Sequence, residues 1–593
     1  MIVLLAYARV CPHEVPLLIR SNNDVEGCWD VLDDPPKEFN FSRDIIDFWA
    51  HEKQKSTCGD TPGFWFAKES SNEPDIKYTF ADLSHLSRRV AGFLMHDLGL
   101  DKNSRLLVIL PKTPEFWLVL LGAIRCGITL TTCTTMLTAK DIKFRLGKFQ
   151  PDCIIAGSNE MAAVDEVVGN FDCVQHKVAV SKEAARNDWK LFDSLLRNCR
   201  EHEGDATYTE DPAIVFFTSG TTGPPKMVEH NQGYFLAHLS TACHVHSPEQ
   251  HDVVWCIADP GWAKVAWGTF PTWLMGACFF QAQMPKFLSS ATLAASRLLL
   301  LFAFAQKNVL RDYPITKMCA PPTVYRALLQ QDPSLFQFKS LVDCISAGEP
   351  MNPEVMMKWQ NLTGVEIREV YGQTETVALC ASPKHHPIKP GSMGIPPRNV
   401  LLQASTFIIL EIHDEKGREV AVGETGLIAV DISRKRPFGL FGGYRDDPER
   451  TANVFRNGFY YTGDRASMDV DGYFWFYSRA DDVIISAGYR IGPFEVESML
   501  IEHPAVVECA VVASPDPDRG EVVKAFVVLH PDYKSQDLER LAEELQQHVK
   551  KHTAPYKYPR KVEFVNQLPK TISGKILRHL LRERERLAAE QCR

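Results

Sequence analysis

The sequence predicts an α/β protein with a large N-terminal α/β domain of mostly parallel sheets and a small C-terminal α+β domain. At 593 residues, the chain is too long for a single hydrophobic core. Strand-like runs alternate with helical stretches as far as residue 480, where the composition changes. We therefore expect an N-terminal segment at residues 1–37, a candidate targeting region, followed by domains at 38–480 and 481–593.

The alternation in the first part of the chain begins with a strand-like run at residues 105–110. An apolar helix candidate at 115–126 and a second strand-like run at 128–132 follow it. Residues 152–156 and the apolar, partly β-branched run at 213–217 continue the pattern. Because parallel strands need a crossover connection, usually a helix, this order predicts a mostly parallel sheet.

The last part of the chain has a different organisation, and a short polar stretch at residues 478–482 precedes it. Two strand-like runs, at 506–513 and 522–529, are separated by a turn-rich segment. An amphipathic helix is predicted at 538–551, and a basic helix at 576–586 ends the unit. These elements predict a small α+β domain.

The composition excludes several functional classes. A net charge of −9 argues against a general nucleic-acid-binding protein. The 16 cysteines form no Cys-x-x-Cys pair and no zinc-type spacing, so we expect reduced thiols. Residues 1–20 lack the features of a secretory signal and have too little Arg and Ser for a clear transit peptide. The apolar run at 288–305 contains Arg297 and falls short of the ~20 residues that span a bilayer, so a buried helix is expected.

A loop rich in glycine and hydroxyl residues, at 216–226, is the first functional signal. Its backbone N–H groups and hydroxyls are suited to binding a polyphosphate, to which a lysine adds positive charge. The loop residues are Thr218, Ser219, Gly220, Thr221, Thr222, Gly223, Pro224, Pro225 and Lys226. It is not a Walker loop, because Pro225 stands where that motif needs its second glycine and Met227 follows the lysine.

Four further segments follow the loop in a fixed order: residues 371–375, 461–464, 479–482 with 488–490, and 569–575. Together with the loop they resemble the adenylate-forming superfamily of acyl-CoA synthetases, luciferases and peptide-synthetase adenylation domains. The sequence is similar to that of the medium-chain acyl-CoA synthetases at residues 226–230, 259–262, 320–325 and 553–559. The resemblance covers roughly residues 38 to 590, and five motifs in order are far more specific than any one alone.

The resemblance implies an ATP site with Mg²⁺. Besides the loop at 218–226, the implied ATP-binding residues are Glu369, Val370, Tyr371, Gly372, Gln373, Thr374, Asp464, Arg479, Arg490 and Lys575. Thr221, Glu375 and Lys575 are the expected catalytic residues. Glu375 would hold Mg²⁺ through carboxylate oxygen. Asp464 would accept the ribose hydroxyls, Arg479 would add a contact to the ribose, and Arg490 would contact a phosphate.

The resemblance also implies a CoA site and a moving small domain. Ala487, Gly488 and Tyr489 would line the pantetheine channel, where the glycine permits close approach. Arg519 and Lys550 are candidate cations for the CoA phosphates, which they would contact as surface charges. The small domain would rotate about Asp481 between the two half-reactions.

The acyl pocket is bounded by comparison with acetate-specific relatives, which carry Trp where this chain has Gly372. Removing an indole is expected to leave space, at ~0.8 kcal/mol of favourable burial per methylene. The expected substrate is therefore a medium-chain fatty acid or an aryl acid. Trp262, Val370, Gly372 and Gly394 are the expected wall residues, and the apolar insertions at 287–310 and 397–407 depart from the family pattern.

Other readings stay open from the sequence alone. A luciferase-like oxygenase would share the adenylating motifs. A catalytically impaired ATP- and acyl-binding homologue would also carry the same motif residues. A peptide-synthetase module is disfavoured because a carrier domain would be expected beyond residue 593. The expected partners are ATP, CoA and a carboxylic acid, with no nucleic acid and no membrane span. The oligomeric state is open, a monomer being one option, and the resemblance implies the mitochondrial matrix.

Overall fold

The computed structural model describes residues 32–55, 61–69, 73–181, 188–218, 224–283, 306, 308–332, 336–384, 386–397, 408–486, 489–517, 519–570 and 575–591. The two insertions predicted at 287–310 and 397–407 fall largely outside these residues. So does the buried helix predicted at 288–305. The N-terminal segment is described only from residue 32 onward.

The strands, numbered in chain order, are β1 Phe64–Ala67, β2 Ile76–Tyr78, β3 Arg105–Ile109, β4 Thr129–Cys133, β5 Cys153–Gly157, β6 His176–Val180, β7 Trp189–Leu191, β8 Pro212–Thr218, β9 Lys226–Asn231, β10 Val253–Cys256, β11 Cys278–Ala282, β12 Lys317–Ala320, β13 Asp343–Ala347, β14 Ile367–Gly372, β15 Ala378–Ala381, β16 Leu410–His413, β17 Gly426–Asp431, β18 Phe455–Arg456, β19 Phe459–Met468, β20 Phe474–Arg479, β21 Ile484–Ser486, β22 Tyr489–Ile491, β23 Val506–Asp516, β24 Gly520–Leu529 and β25 Lys561–Phe564.

The α-helices are α1 Asp47–Lys55, α2 Phe80–Gly92, α3 Pro114–Cys126, α4 Ala139–Phe149, α5 Met161–Val168, α6 Phe192–Asn198, α7 Gly233–Thr241, α8 Lys264–Leu274, α9 Pro322–Leu329, α10 Pro353–Thr363, α11 Pro448–Val454, α12 Pro493–Glu502, α13 Leu538–His552 and α14 Arg578–Gln591. Every strand and helix named in the sequence prediction outside 288–305 has a counterpart here, with ends that differ by a few residues.

Two sheets of the first 480 residues are parallel in their interiors. The seven-stranded sheet has the order β7-β6-β5-β3-β4-β8-β9, and only β9 runs antiparallel to its neighbour. The eight-stranded sheet has the order β15-β14-β13-β12-β10-β11-β1-β2, with antiparallel pairs at both edges. The prediction of a large α/β domain with mostly parallel sheets is confirmed.

Two smaller sheets follow in the chain. The third has the order β16-β17-β19-β18, with β20 paired to β19, and its pairs are antiparallel. The fourth has the order β22-β21-β24-β23, with β25 parallel to β24. The predicted boundary at residue 480 falls between β20 of the third sheet and β21 of the fourth, and it stays a prediction.

The main hydrophobic core joins both large sheets through helices that are buried on all sides. It contains residues of β3, β11 and β14, and nearly every residue of α7 and α8 is buried within it. The fourth sheet packs on α12 and α13 around a separate core between Ile484 and Val549. This helical burial matters for the site, because Trp267 of α8 packs against the C-terminal end of β14.

Local sequence explains the ends of helix α3. Pro114 is its first residue, where a missing N–H costs nothing, and Gly127 after it adopts φ of 70°. All cysteines in the described part of the chain are free, as the sequence predicts for reduced thiols. Among the described residues, no helix combines the length and apolarity needed to cross a bilayer.

Candidate active site

Three strands bring the predicted nucleotide residues together. Strand β14 runs directly into the segment 371–375, and β19 carries Asp464 in its interior. Arg479 is the last residue of β20 and lies opposite Asp464 in the pairing of β19 with β20. The register of two antiparallel strands therefore places the predicted carboxylate and guanidinium side by side.

Asp464 is the centre of a hydrogen-bond network and is 4% exposed. Its Oδ2 accepts hydrogen bonds from Tyr371 Oη and Gln373 Nε2, each at 2.7 Å. Its Oδ1 accepts one from Arg479 Nη1 at 2.9 Å. The negative charge of Asp464 raises the pKa of Arg479 above its usual value, against the effect of burial. A carboxylate offers about four acceptor positions, so three such bonds leave capacity for a further donor.

Gln373 fixes the segment that follows β14. Its Nε2 also donates to Thr462 O at 2.9 Å, and its Oε1 accepts from Tyr460 Oη at 2.8 Å. His230 Nε2 lies 2.7 Å from Thr374 O. Burial lowers the pKa of His230 to about 4, so the ring is neutral at pH 7 and its Nε2–H donates to that carbonyl. The segment 371–375 is thus fixed from two sides.

Glu375 lies beside the end of the predicted phosphate loop. Tyr444 Oη donates to Glu375 Oε1 at 2.8 Å, and the Nζ of Lys226 lies 4.8 Å from the centre of the Tyr444 ring. Lys226 is the first residue of β9 and lies opposite Thr218 of β8. Burial lowers the pKa of Lys226, while the charge of Glu375 partly opposes that shift. The structure therefore places the loop lysine and the predicted metal-binding carboxylate at one point.

The central part of the phosphate loop, namely Ser219, Gly220, Thr221, Thr222 and Gly223, lies outside the described residues, as do Ala487 and Gly488. Thr218, Pro224, Pro225 and Lys226 are described at the two ends of that loop. An open cleft of about 510 Å³ lies beside Tyr444, and Glu229, Asp447 and Thr451 line part of it.

Glu369 differs from the other predicted nucleotide residues. It is 3% exposed in β14, and its Oε1 accepts a hydrogen bond from Met351 N at 3.3 Å. Its Oε2 has no hydrogen-bond partner among the described residues. Burial raises the pKa of Glu369 to about 8. At pH 7 this side chain is therefore mostly protonated and neutral.

The predicted acyl-pocket residues belong to different elements. Val370 is buried in that strand, and Trp262 is half-buried just before α8. Gly394 has φ of 83°, and a Cβ there would overlap the carbonyl group of Ala381, so close backbone packing explains this glycine. Whether Gly394 borders the substrate stays a prediction.

Gly372 is half-buried, and the direction in which a side chain would point is occupied. A Cβ at this position would overlap Cη2 of Trp267 and would lie 2.9 Å from its Cζ2. It would also lie 2.7 Å from the carbonyl oxygen of Val377. The indole of Trp267 on α8 thus packs against the position of the missing side chain, and whether the substrate reaches Gly372 stays a prediction.

The residues of the small domain are placed around the third sheet. Arg490 is exposed, and its Nη1 donates a hydrogen bond to Glu415 Oε1 at 3.1 Å. In this structure it therefore pairs with Glu415 and does not lie with Lys226 at the predicted phosphate site. Asp481, the predicted hinge residue, lies 3.6 Å from Arg479. Asn352 Nδ2 at the start of α10 donates to Ser498 O in α12 at 3.3 Å.

Lys575 is half-buried three residues before Arg578, at the start of α14. Burial lowers the pKa of Arg578, but Glu497, Asp482 and Glu349 outweigh it and raise the pKa overall. Glu349 follows β13 in the eight-stranded sheet, so this end of the small domain faces the C-terminal ends of that sheet's strands.

The predicted CoA residues are surface side chains. Tyr489 stacks on Tyr556 with ring centres 4.3 Å apart. Lys550 Nζ lies 4.1 Å from the centre of the Tyr558 ring, and Arg519 is exposed after a turn that Asp516 closes. Their roles in CoA binding stay predictions.

Sequence reasoning missed several residues that shape the site: Tyr444, Tyr460, His230 and Trp267. Each lies outside the five motifs, or in a segment that was compared with the medium-chain acyl-CoA synthetases without a role being assigned to it. Each contacts the site through a side chain of an element that is distant in the sequence. Only Tyr444 has a local signal, because it follows the glycine pair Gly442 and Gly443.

Comparison with protein families identifies the family of this chain. Residues 53–444 match the model of the AMP-binding enzyme family, and residues 495–575 match that of the AMP-binding enzyme C-terminal domain. The chain belongs to the AMP-binding enzyme family. The resemblance drawn from the five motifs is therefore confirmed.

Two curated relatives illustrate the likeness. The mouse (Mus musculus) protein "Acyl-coenzyme A synthetase ACSM3, mitochondrial" is 45% identical over 553 residues, covering 93% of this chain and 91% of that protein. The human (Homo sapiens) protein "Acyl-coenzyme A synthetase ACSM4, mitochondrial" is 46% identical over 574 residues, covering 96% and 94%.

Two solved structures agree with the fold over nearly the whole chain. The anthranilate CoA ligase AuaEII in complex with anthranoyl-AMP has a TM-score of 0.79 and 26% identity, covering 94% of this chain and 99% of that one. The Brucella canis acyl-CoA synthetase has a TM-score of 0.69 and 30% identity, covering 96% and 99%.

Proposed function

We propose that this protein is an AMP-forming acyl-CoA synthetase that joins a medium-chain fatty acid or an aryl acid to CoA. The observation that carries the proposal is that two groups of residues lie together at the end of β14. One is the Asp464 network, suited to a ribose, and the other is the group of Lys226, Glu375 and Tyr444, suited to phosphates. Relatives named as acyl-CoA synthetases, 45% identical over 93% of the chain, support the same activity.

The reaction has two steps. In the first, a carboxylate oxygen of the acid forms a bond to the α-phosphorus of ATP, and the bond from that phosphorus to pyrophosphate breaks. In the second, the sulfur of CoA bonds to the acyl carbon of the adenylate, AMP leaves, and the thiol proton is released. Catalysis of the first step depends mostly on positioning and on neutralising phosphate charge.

The residues of the large domain bind and orient ATP. The loop at 218–226 binds the departing phosphates, with Lys226 held against the Tyr444 ring. Asp464 accepts a ribose hydroxyl at the acceptor position that its three protein donors leave open, and Arg479 stays beside it. Thr221 donates its hydroxyl to a phosphate oxygen, and Val370 and Thr374 place the backbone against the nucleotide.

Mg²⁺ fits the site as an ion that arrives with ATP. Among the described residues, no three His, Cys, Asp or Glu side chains are grouped so that they could hold a metal. Glu375 supplies one carboxylate, oriented by Tyr444, and Mg²⁺ is commonly bound by one or two carboxylates together with substrate phosphates. When bound there, it would neutralise phosphate charge as pyrophosphate leaves.

Lys575 and the small domain complete each step in turn. The ammonium of Lys575 neutralises charge where the carboxylate meets the α-phosphate, and rotation about Asp481 then exchanges it for the segment at 487–489. In that second arrangement Tyr489 lines the path of the CoA thiol, and Arg519 and Lys550 contact the CoA phosphates. Such closure and rotation is a common way to separate two half-reactions at one site.

The class of acid and the location rest on similarity. The similarity to the anthranilate CoA ligase, which covers 94% of this chain, supports an aryl acid as the substrate. The similarity to the acyl-coenzyme A synthetases supports an aliphatic acid. Curated relatives named as mitochondrial support a mitochondrial location, and we propose the matrix.

A two-part assay tests the function. Purified protein is mixed with ATP, Mg²⁺ and an acid, from acetate to hexadecanoate plus benzoate and anthranilate, and pyrophosphate release is measured without CoA. Thioester formation is then measured with CoA. We expect pyrophosphate release with the same acids that form thioesters. Oxygen uptake without thioester would indicate the luciferase-like alternative, and ATP binding without pyrophosphate release would indicate an impaired homologue.

A further inference from the structure

One buried histidine joins two parts of the candidate site that are far apart in the chain. His230 lies in β9, the strand that begins at Lys226 and pairs with β8 across the phosphate loop. Its neutral ring donates a hydrogen bond from Nε2–H to Thr374 O, at 2.7 Å. Thr374 directly precedes Glu375. The strand that follows the phosphate loop is therefore bonded to the backbone beside the predicted metal-binding carboxylate.

The ring of His230 is fixed by packing. It is 2% exposed and stacks on Tyr234 of α7, with ring centres 3.9 Å apart and planes inclined by 21°. Phe216 of β8 contacts the same ring in an edge-to-face arrangement, with ring centres 6.4 Å apart. Because protein interiors are close-packed, a ring enclosed in this way keeps one orientation. Its N–H group therefore points in a fixed direction, towards the carbonyl of Thr374.

Glu375 is also held by a third part of the chain. Phe441 N donates to Glu375 O at 2.9 Å, and Tyr444 Oη donates to the carboxylate at 2.8 Å. This third part is itself joined to β9, because Arg445 N donates to Met227 O at 2.9 Å. Glu375 is thus placed relative to β9 by two routes, one through the segment 441–445 and the other through His230.

We propose that His230 is a positioning residue for the Mg²⁺–ATP complex, because its hydrogen bond to Thr374 O sets the place of Glu375 relative to the phosphate loop. The inference rests on the proposed function, in which Glu375 binds Mg²⁺ and the loop binds the departing phosphates. Mg²⁺ demands near-ideal ligand geometry, so it is bound well only when the carboxylate and the phosphates have the right separation. His230 is buried and acts on that separation through Thr374.

Substitutions at this position separate the hydrogen bond from the packing. His230→Phe keeps an aromatic ring to stack on Tyr234 but has no donor. His230→Gln restores a donor, since the amide nitrogen of glutamine is as many bonds from Cβ as Nε2 of histidine. His230→Asn, whose amide is shorter and does not reach Thr374 O, is a second variant without the hydrogen bond. We expect only His230→Gln to retain the positioning.

His244→Phe is the matched control. His244 is also a buried histidine, its Nε2 lies 3.2 Å from Ile395 O, and burial lowers its pKa to about 4 as it does for His230. This substitution removes a comparable hydrogen bond to a carbonyl but leaves the contacts of Thr374 and Glu375 in place. Thermal unfolding of all variants shows which of them are folded under assay conditions.

The measurement is calorimetric titration with ATP, once with Mg²⁺ and once with a chelator in its place. It shows how much Mg²⁺ tightens ATP binding, without any acid or turnover. Loss of a group that orients a metal ligand typically weakens metal binding roughly 10- to 100-fold, so we expect this gain in affinity to fall about tenfold in His230→Phe and His230→Asn. The gain should match the wild type in His230→Gln and His244→Phe, and the affinity for ATP in chelator should be similar in all variants.

Three results would overturn the inference: an unchanged gain in a folded variant that lacks the donor, an equal loss in His244→Phe, or an equal loss in His230→Gln. If Mg²⁺ gives the wild type no gain, the proposed role of Glu375 fails and the inference with it. The conversion of preformed acyl-adenylate and CoA to thioester needs neither ATP nor Mg²⁺, so it tests the ligase separately. Its absence from the wild type would overturn the proposed function, while the titrations would still decide the role of His230.

Discussion

At the nucleotide end of the candidate site, four polar side chains meet through hydrogen bonds, whereas at the acyl end one indole packs against a glycine. Asp464 is bonded to Tyr371, Gln373 and Arg479 at 2.7 to 2.9 Å. At the acyl end, Gly372 is explained by the space that Trp267 fills. Asp464, Gln373 and Arg479 could be selected from their motifs, but the packing that explains Gly372 is known only once its neighbours are seen.

The largest effect is expected at the nucleotide end, from Lys575→Ala. Loss of one charge-stabilising group at a reacting centre commonly costs ~10² to 10³ in rate. We expect pyrophosphate release to fall by about that factor, while the conversion of preformed acyl-adenylate and CoA to thioester is retained. Stopped assays of the two half-reactions measure this.

Lys570→Ala is the control, since Lys570 lies in the same segment and pairs with Glu508 at 2.8 Å. It should leave both half-reactions unchanged. Equal loss of both half-reactions in Lys575→Ala would contradict the separate role of the lysine in adenylation. The nucleotide end could then no longer be distinguished from the acyl end as the place where charge is neutralised during adenylate formation.

The difference between the two ends also explains how much could be read from the sequence. The parallel sheets and the strands and helices of the last part of the chain follow from local patterns, and the resemblance carried by short motifs selects Asp464 and Arg479. That these two side chains form an ion pair is seen only in the register of β19 with β20. Tyr444 and His230 could not be assigned a place, because their contacts with Glu375 and Thr374 join strands far apart in the chain. Trp267 was missed for the same reason, since hydrophobic periodicity shows that a helix is buried but not which atom it faces.

Glu369 sharpens the comparison, because it is an acidic residue of the nucleotide segment in an apolar setting. Burial raises its pKa to about 8, against an unperturbed value of 4.5. Between those values the folded protein keeps a proton that the unfolded chain loses. The stability that this group contributes is therefore complete below about pH 4.5 and falls as pH rises through 8.

We expect Glu369→Gln to gain stability relative to the wild type as pH rises from 5 to 8, on the order of 3 kcal/mol. The melting temperatures of both proteins at pH 5, 6, 7, 8 and 9 measure the difference. Glu366→Gln is the control, because Glu366 is exposed one residue before β14. Parallel melting curves for wild type and Glu369→Gln across this range would show that Glu369 is ionised and partnered at neutral pH.

The smallest effect is expected from Tyr444→Phe, which removes one hydroxyl and keeps the ring beside Lys226. The hydroxyl orients Glu375 at 2.8 Å, and loss of a group that orients a metal ligand typically weakens metal binding 10- to 100-fold. We expect the Mg²⁺ concentration for half-maximal pyrophosphate release to rise about tenfold. In the control Tyr461→Phe, the lost hydroxyl instead contacts His413 Nδ1 at 3.0 Å, so the Mg²⁺ dependence should stay unchanged. If Tyr444→Phe also leaves it unchanged, Glu375 does not need Tyr444 to meet the metal. The geometry of the nucleotide end would then depend, like that of the acyl end, on side-chain packing more than on directed hydrogen bonds.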